Sequence, residues 1–187
     1  MTSPARDTAE LPDTPVAVLL PGVGYTAQAP LLYWCAALLA ERGWHVQTVA
    51  WTVDAEAHTH PLPFVERAVA EAFDASPPST RRLIVAKSFG TWALPWARRN
   101  RIAGVWLTPL LTEEPVRRSL LEAADTDIAI GGDEDAFWRP ELVAGTKARV
   151  ISVPGASHTL TMREDWSGSM ALQARILADI ASHIDSH

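Results

Sequence analysis

A serine, a group of acidic residues and a histidine stand at three separate points of the chain, each after a short apolar segment. Ser88 comes first, the acidic residues 133–135 follow, and His158 comes last. A serine that passes its hydroxyl proton to a histidine can attack a carbonyl carbon, and a carboxylate can keep that histidine in the required tautomer. These residue types therefore predict covalent catalysis by a serine nucleophile.

The surroundings of Ser88 match a sharp turn from a strand into a helix. The segment reads Ala86-Lys87-Ser88-Phe89-Gly90 and has small residues two positions before and two positions after the serine. Such a turn exposes the hydroxyl group and places it at a helix N-terminus, which favours negative charge. A serine before a glycine is also a common helix cap, so the segment needs support from the rest of the chain.

That support comes from the order of the other candidates along the chain. The segment Gly131-Gly132-Asp133-Glu134-Asp135 ends the fifth predicted strand, and Pro154-Gly155-Ala156-Ser157-His158 ends the sixth. Serine, acid and histidine thus follow the third, fifth and sixth strands, and loops at strand C-termini share one edge of a parallel sheet. The three groups are therefore expected to meet.

Apolar segments and helical patterns alternate along the chain, as in a parallel α/β sheet. The sequence predicts strands at 16–20, 44–51, 83–86, 104–107, 127–130 and 148–153, and helices at 30–42, 60–74, 91–100, 115–124 and 169–184. About six mostly parallel strands between two layers of helices follow from this pattern. The segment between the fourth and fifth strands has room for one short helix and for no cap domain.

Composition limits the classes of protein that remain. The chain has 187 residues, a net charge of −6 and one cysteine, Cys35, in an apolar segment. We expect a flexible tail at 1–14 without a signal peptide, one domain at 15–187 and a cytoplasmic location. The acidic balance argues against nucleic acid. Proline and glycine interrupt the uncharged segment 14–40, which argues against a membrane span.

The chain resembles the α/β-hydrolase superfamily over residues 16–184, and in particular its small members without a lid. In that superfamily the acid usually stands three residues after the glycine that ends its strand. The resemblance thus points from Gly132 to Asp135, and from Gly155 to His158, with Asp133 as the second candidate for the acid and Glu134 as the least favoured. It implies a three-layer α/β-hydrolase fold.

The resemblance also implies an oxyanion hole made by two backbone N–H groups. One would come from Phe89 and the other from the loop Pro21-Gly22-Val23-Gly24-Tyr25, with Val23 preferred and Gly24 second. Many relatives have His-Gly where this loop has Pro-Gly, so the amide that is used stays open. Residues expected to contact a substrate are Tyr25, Lys87 and Trp138.

The expected reaction is hydrolysis of a small or exposed ester or thioester through an acyl-enzyme on Ser88. No cofactor is expected, and His58 and His60 are interpreted as surface loop residues rather than metal ligands. A lyase, cyclase or acyltransferase with the same three groups, or a non-catalytic binding module, remains an alternative. The sequence is also compatible with a homodimer.

Overall fold

The structure is a computed structural model that describes residues 13–187. The expected tail at 1–14 thus lies, except for its last two residues, outside the described residues. Six strands are found in the described part: β1 (Val16–Leu20), β2 (His45–Thr48), β3 (Arg82–Lys87), β4 (Ala103–Leu107), β5 (Ile128–Gly132) and β6 (Arg149–Val153). They form one parallel sheet in the order β2-β1-β3-β4-β5-β6, as the alternating pattern predicts.

Helices connect the strands and cover both faces of the sheet. They are α1 (Pro30–Glu41), α2 (Ala55–Thr59), α3 (Pro61–Asp74), α4 (Leu94–Asn100), α5 (Glu114–Leu121) and α6 (Trp166–Asp185). Short 3-10 helices occupy Ser88–Ala93 and Pro140–Val143. Parallel neighbouring strands require such crossover connections, and the helices shield the sheet from water.

The core is divided between the two faces of the sheet, as β1 shows. All five residues of β1 are buried, and they alternate between two clusters of apolar side chains. Val16, Val18 and Leu20 pack with residues of α3, α4 and α5, whereas Ala17 and Leu19 pack with residues of α1 and α6. The two-residue period of a strand produces this division, and it confirms the predicted three-layer arrangement.

Two helical segments differ from the expectation. The helix predicted over 91–100 begins earlier, because the chain turns at Ser88 into a 3-10 helix before α4. The short helix α2 was not predicted. Its first turn is stabilised by the side chain of Asp54, which accepts a hydrogen bond of 2.8 Å from the N–H of Ala57.

Only α5 lies between β4 and β5, so the described chain has no cap domain. This agrees with the expectation from the short connecting segment. The loops after β1, β3, β4, β5 and β6 are therefore not covered by an inserted domain.

The face covered by α1 and α6 contains the single cysteine. Cys35 is fully buried in α1, and burial raises the pKa of its thiol to about 12. A thiol with so little thiolate is a packing residue rather than a nucleophile. No helix within residues 13–187 is long and apolar enough to pass through a lipid bilayer.

Candidate active site

Ser88 occupies a strained turn at the C-terminal end of the central strand β3. Its φ is +51°, in the left-handed region that side chains seldom adopt. Gly90 makes the turn possible, because a Cβ at this position would lie 2.7 Å from the carbonyl oxygen of Leu20 and 2.9 Å from that of Pro21. The small residue predicted after the serine thus allows the turn to pack against the loop that follows β1.

The side chain of Thr91 also stabilises this turn. Its hydroxyl donates a hydrogen bond of 2.6 Å to the backbone carbonyl of Ser88 and accepts one of 3.3 Å from the N–H of Leu110. The threonine therefore links the turn to the loop after β4. Sequence reasoning did not single out Thr91, since a threonine in a helical segment carries no distinctive signal.

Ser88, His158 and Asp135 form a continuous chain of hydrogen bonds. The Oγ of Ser88 lies 2.8 Å from Nε2 of His158, and Nδ1 of His158 lies 2.6 Å from Oδ2 of Asp135. Because an ionised carboxylate can only accept, Nδ1 carries the proton and the Nε2 of a neutral ring accepts from the serine hydroxyl. This tautomer is the one that can remove a proton from Ser88.

The environment of the three acidic residues distinguishes them. The Asp135 carboxylate is buried, and its second oxygen accepts a hydrogen bond of 2.9 Å from the N–H of Phe137. Asp133 is exposed, and its carboxylate instead accepts a bond of 2.7 Å from the N–H of Gly155. Glu134 is exposed as well. Of these three acidic side chains, Asp135 is the one bonded to His158.

The loop after β1 lies directly beside the serine. Gly22 is so close that a Cβ there would lie 3.2 Å from Cβ of Ser88. A tight turn follows, in which the N–H of Gly22 donates to the carbonyl of Tyr25 and Gly24 has a φ of +66°. Among the described residues, no acceptor is bonded to the N–H groups of Val23 and Gly24.

A cavity of about 440 Å³ opens next to Ser88. Its apolar wall includes Val23, Phe89, Trp92, Leu110 and Phe137. Its polar lining includes His58, Thr59 and Glu113. Val23 contributes to this cavity and Gly24 does not, which favours the N–H of Val23 over that of Gly24 as the partner of Phe89. The cavity thus offers aromatic side chains together with one carboxylate, that of Glu113.

The structure does not place Trp138 in the lining of the cavity beside Ser88. The Trp138 indole is 5% exposed, packs against Gly131 and donates a hydrogen bond of 2.9 Å to Ser152. Phe137 faces the site instead, with its ring centre 5.2 Å from that of His158. The turn after β5, closed by the bond from Phe137 to Asp135, directs these neighbouring side chains to opposite sides. The sequence carries no signal that separates Phe137 from Trp138, since both are aromatic and adjacent.

Lys87 and Tyr25 also do not line the cavity beside Ser88. Lys87 is 1% exposed and its ammonium group lies beneath the site, 4.8 Å from the centre of the Tyr25 ring. The Tyr25 hydroxyl accepts a hydrogen bond of 3.1 Å from the N–H of Leu31. Lys87 is thus buried below the cavity, whereas Tyr25 is partly exposed and contacts Lys87 and Leu31 in the described chain.

His58 and His60 are exposed at α2 and its end. The ring of His58 lies against Phe89, with 5.8 Å between the ring centres, and borders the cavity. Within residues 13–187, no group of three or more His, Cys, Asp or Glu side chains is arranged to hold a metal ion.

Comparisons with solved structures identify the fold. No protein-family model matches the chain, and no curated protein matches it in sequence. Alpha/beta hydrolase domain-containing protein 10 from mouse is 13% identical, with a TM-score of 0.66 over 94% of this chain and 92% of that one. XC6422 from Xanthomonas campestris, an α/β serine hydrolase without a lid, is 17% identical, with a TM-score of 0.57 over 93% and 81%.

A cold-adapted esterase from an Arctic intertidal metagenomic library is also similar, at 19% identity and a TM-score of 0.63 over 94% of this chain and 85% of that one. The architecture and these likenesses together define the class: the chain has the α/β-hydrolase fold, and its described residues include no cap domain.

Proposed function

We propose that the protein is a serine hydrolase that cleaves an ester or thioester through an acyl-enzyme on Ser88. The observation that carries the proposal is the hydrogen-bonded chain from Ser88 through His158 to Asp135. The fold supports the proposal as well, because these three residues lie on the loops that carry the nucleophile, the base and the acid in the α/β-hydrolase fold.

In the proposed reaction, the Oγ of Ser88 attacks the carbonyl carbon while Nε2 of His158 takes the hydroxyl proton. Asp135 stabilises the imidazolium ion that forms and keeps its ring in place. The imidazolium then protonates the leaving alcohol or thiol, and an acyl group remains on Ser88. Water reacts with this acyl group in the second half, again with His158 as the base, and releases the acid.

The negative oxygen that develops during attack requires N–H donors. The N–H of Phe89 is suited to this role, because it belongs to the first turn of the 3-10 helix and has no partner within it. The N–H of Val23 is the proposed second donor, since it is free among the described residues and its residue borders the cavity. Two such donors stabilise the transition state more than the neutral substrate.

The cavity suits a small or exposed acyl group with a flat apolar part. Phe89, Trp92 and Phe137 provide aromatic surface, whereas Glu113 contributes a carboxylate to the lining. A free carboxylate elsewhere on the acyl group would be repelled by Glu113. Substrates with neutral acyl groups are therefore the proposed class. The proposed substrates include simple activated esters such as p-nitrophenyl esters of short acids.

Active-site labelling with a fluorophosphonate probe tests the nucleophile. We expect the parent protein to be labelled, Ser88→Ala to remain unlabelled and His158→Ala to react far more slowly. A folded parent protein that is not labelled would contradict the proposed serine hydrolase. Product analysis with an ester substrate then separates the reaction types, because hydrolysis releases the free acid together with the intact alcohol. Acyl transfer leaves the acyl group on another acceptor, and elimination gives an alkene in place of the alcohol.

The same assay compares two acidic residues. In Asp135→Asn the amide oxygen would accept from Phe137 N–H and the amide nitrogen would face His158, which imposes the wrong tautomer. Labelling should therefore fall by about 10³ to 10⁴. In Asp133→Asn an oxygen remains for the N–H of Gly155, so labelling should stay within about twofold of the parent. A larger loss with Asp133→Asn than with Asp135→Asn would reassign the acid.

A further inference from the structure

A lysine is fully buried directly beside the proposed nucleophile. Lys87 is the last residue of β3, is 1% exposed and forms no ion pair with a carboxylate within residues 13–187. A buried charge without a paired carboxylate is unfavourable unless hydrogen bonds compensate for the lost water. The partners of the Lys87 ammonium group therefore indicate what this residue does.

The surroundings of Lys87 supply two hydrogen-bond acceptors and one aromatic ring to an ammonium group. Nζ lies 2.8 Å from Oγ1 of Thr108 and 2.8 Å from the backbone oxygen of His158. The ammonium group also lies over the Tyr25 ring, whose centre is 4.8 Å from Nζ. A cation is attracted to the face of an aromatic ring. A neutral amine has only two N–H groups and would need the Thr108 hydroxyl to donate to its lone pair, so the charged form is the one that can donate towards all three partners.

Thr108 is a rigid anchor for this arrangement. It is fully buried at the end of β4, has a φ of +45° and donates its own N–H to the carbonyl of Ile130 on β5. The bond from Lys87 to Thr108 thus fixes the ammonium group relative to two central strands. The bond from Lys87 Nζ to the backbone oxygen of His158 connects the main chain of His158 to the same anchor.

The imidazole of His158 has to meet two partners at once, at 2.8 Å from Ser88 and at 2.6 Å from Asp135. Its side chain is 31% exposed and lies on a loop between β6 and α6. A loop residue is positioned by its backbone contacts, and Lys87 supplies one of these on the residue itself. Small displacements of a catalytic group reduce rates strongly.

We propose that Lys87 is a positioning residue: its ammonium group fixes the main chain of His158 against the end of β4 and so keeps the imidazole aligned between Ser88 and Asp135. The inference depends on the proposed function, because it assigns a role in the reaction of Ser88. If Lys87 acts in this way, the alignment of the His158 imidazole depends on the charge of Lys87.

The charge of Lys87 should therefore appear in the pH dependence. Burial lowers the pKa of Lys87 to about 8, and the nearby Asp135 carboxylate opposes this decrease. The titratable groups that face Lys87 are Tyr25 after β1, Asp135 after β5 and His158 after β6, whereas Thr108 after β4 is uncharged. Burial raises the pKa of Tyr25 above its ordinary value of 10, so Lys87 loses its proton first.

The experiment measures the rate of fluorophosphonate labelling between about pH 6.5 and pH 9.5. In the parent protein the rate should decrease above about pH 8 as Lys87 becomes neutral. In Lys87→Met the rate at pH 7 should be lower by about tenfold, and the alkaline decrease should be absent. Thr108→Val removes one partner of the ammonium group and leaves the bond to His158, so its loss should be smaller and the alkaline decrease should remain.

A second pair of variants tests the inference without replacing the lysine. Tyr25→Leu removes the aromatic face, which should shift the alkaline decrease to lower pH. Tyr25→Phe keeps the face and loses only the hydroxyl, so its alkaline decrease should coincide with that of the parent. If Lys87→Met does not fold, the comparison of Tyr25→Leu with Tyr25→Phe tests whether the charge of Lys87 affects the labelling rate.

Three results would overturn the role of Lys87: a rate for folded Lys87→Met within twofold of the parent, an alkaline decrease that persists in that variant, or identical profiles for Tyr25→Leu and Tyr25→Phe. A parent protein that is not labelled at any pH would instead overturn the proposed function of Ser88. The two failures are therefore distinguishable.

Discussion

The backbone of Ser88 is held in a conformation that favours glycine. With φ at +51°, a Cβ at this position is strained by about 1 kcal/mol relative to glycine. The surrounding turn, tied by Gly90 and Thr91, maintains this strain in the folded protein. Such strain is common where a side chain must be presented for chemistry.

Ser88→Gly should therefore be more stable than Ser88→Ala by about 1 kcal/mol. Both variants lose the hydrogen bond to His158, so their difference reports the relief of backbone strain less the entropy cost of ordering a glycine. Thermal or urea unfolding measures it. The control is Ala171→Gly at an exposed helical position, where glycine is unfavourable. This change should lower the free energy of unfolding by about 1 kcal/mol. Equal stability of Ser88→Gly and Ser88→Ala would show that the turn is unstrained.

At the scale of residues, the sequence was most informative where chemistry restricts the type and order of side chains. The order of serine, acid and histidine indicated which groups meet in the structure. It could not distinguish Phe137 from Trp138, because their directions depend on a turn closed by Asp135. It also placed Lys87 against a substrate, since a lysine satisfied by a carbonyl, a hydroxyl and a ring depends on three distant segments.

At the scale of elements, the junction between β3 and the loop after β1 determines whether the nucleophile can be presented. Gly90 lets the turn after β3 contact Leu20 and Pro21 without a side chain between them. A Cβ at Gly90 would push the turn away from the loop that carries Val23. Overpacking of this kind destabilises the folded protein.

Gly90→Ala should accordingly destabilise the fold by about 1–3 kcal/mol and reduce fluorophosphonate labelling of the folded variant. The matched control is Gly43→Ala, where the new Cβ would meet no atom within 4 Å and only a φ of +77° opposes it. That control should lose about 1 kcal/mol and keep its labelling rate. Unfolding and labelling measured on the same samples separate the two effects, and normal labelling of Gly90→Ala would argue against the role of this contact.

Five of the six strands could be predicted to within two residues, because a short apolar segment bounded by proline, glycine and charge is too short for a buried helix and too apolar for a surface loop. The strand predicted over 44–51 is too long, since β2 covers only His45–Thr48. Their predicted parallel arrangement is confirmed. The helix α2 could not be predicted, since five residues carry too little periodicity and its stability depends on the cap from Asp54. A homodimer, with which the sequence is compatible, stays untested, and sedimentation velocity would test it.

At the scale of the whole molecule, a buried carboxylate connects three elements far from Ser88. Asp127 is fully buried and accepts hydrogen bonds of 2.9 Å from Arg98 of α4 and 2.9 Å from the Trp106 indole of β4. It also accepts one of 3.1 Å from the N–H of Ala124. Burial raises the pKa of Asp127, while these bonds oppose the increase.

Asp127→Ala should destabilise the protein by about 3–5 kcal/mol, because it leaves a buried indole N–H and a partly buried guanidinium group without their partner. The control is Asp179→Ala, which breaks an exposed pair with Arg149 and should cost less than about 1 kcal/mol. Urea unfolding monitored by tryptophan fluorescence measures both. Similar losses for the two variants would show that the buried carboxylate does not join the elements energetically.

The absence of an inserted domain above Ser88 in the described chain has a consequence for the lifetime of the proposed acyl-enzyme. A cavity without a cover exposes the acyl group to every small nucleophile in solution, and His158 is itself partly exposed. Selection between water and an alcohol or amine would then depend on their concentrations and basicity rather than on exclusion by the protein. With such a site, the composition of the medium determines whether the product is an acid, a new ester or an amide.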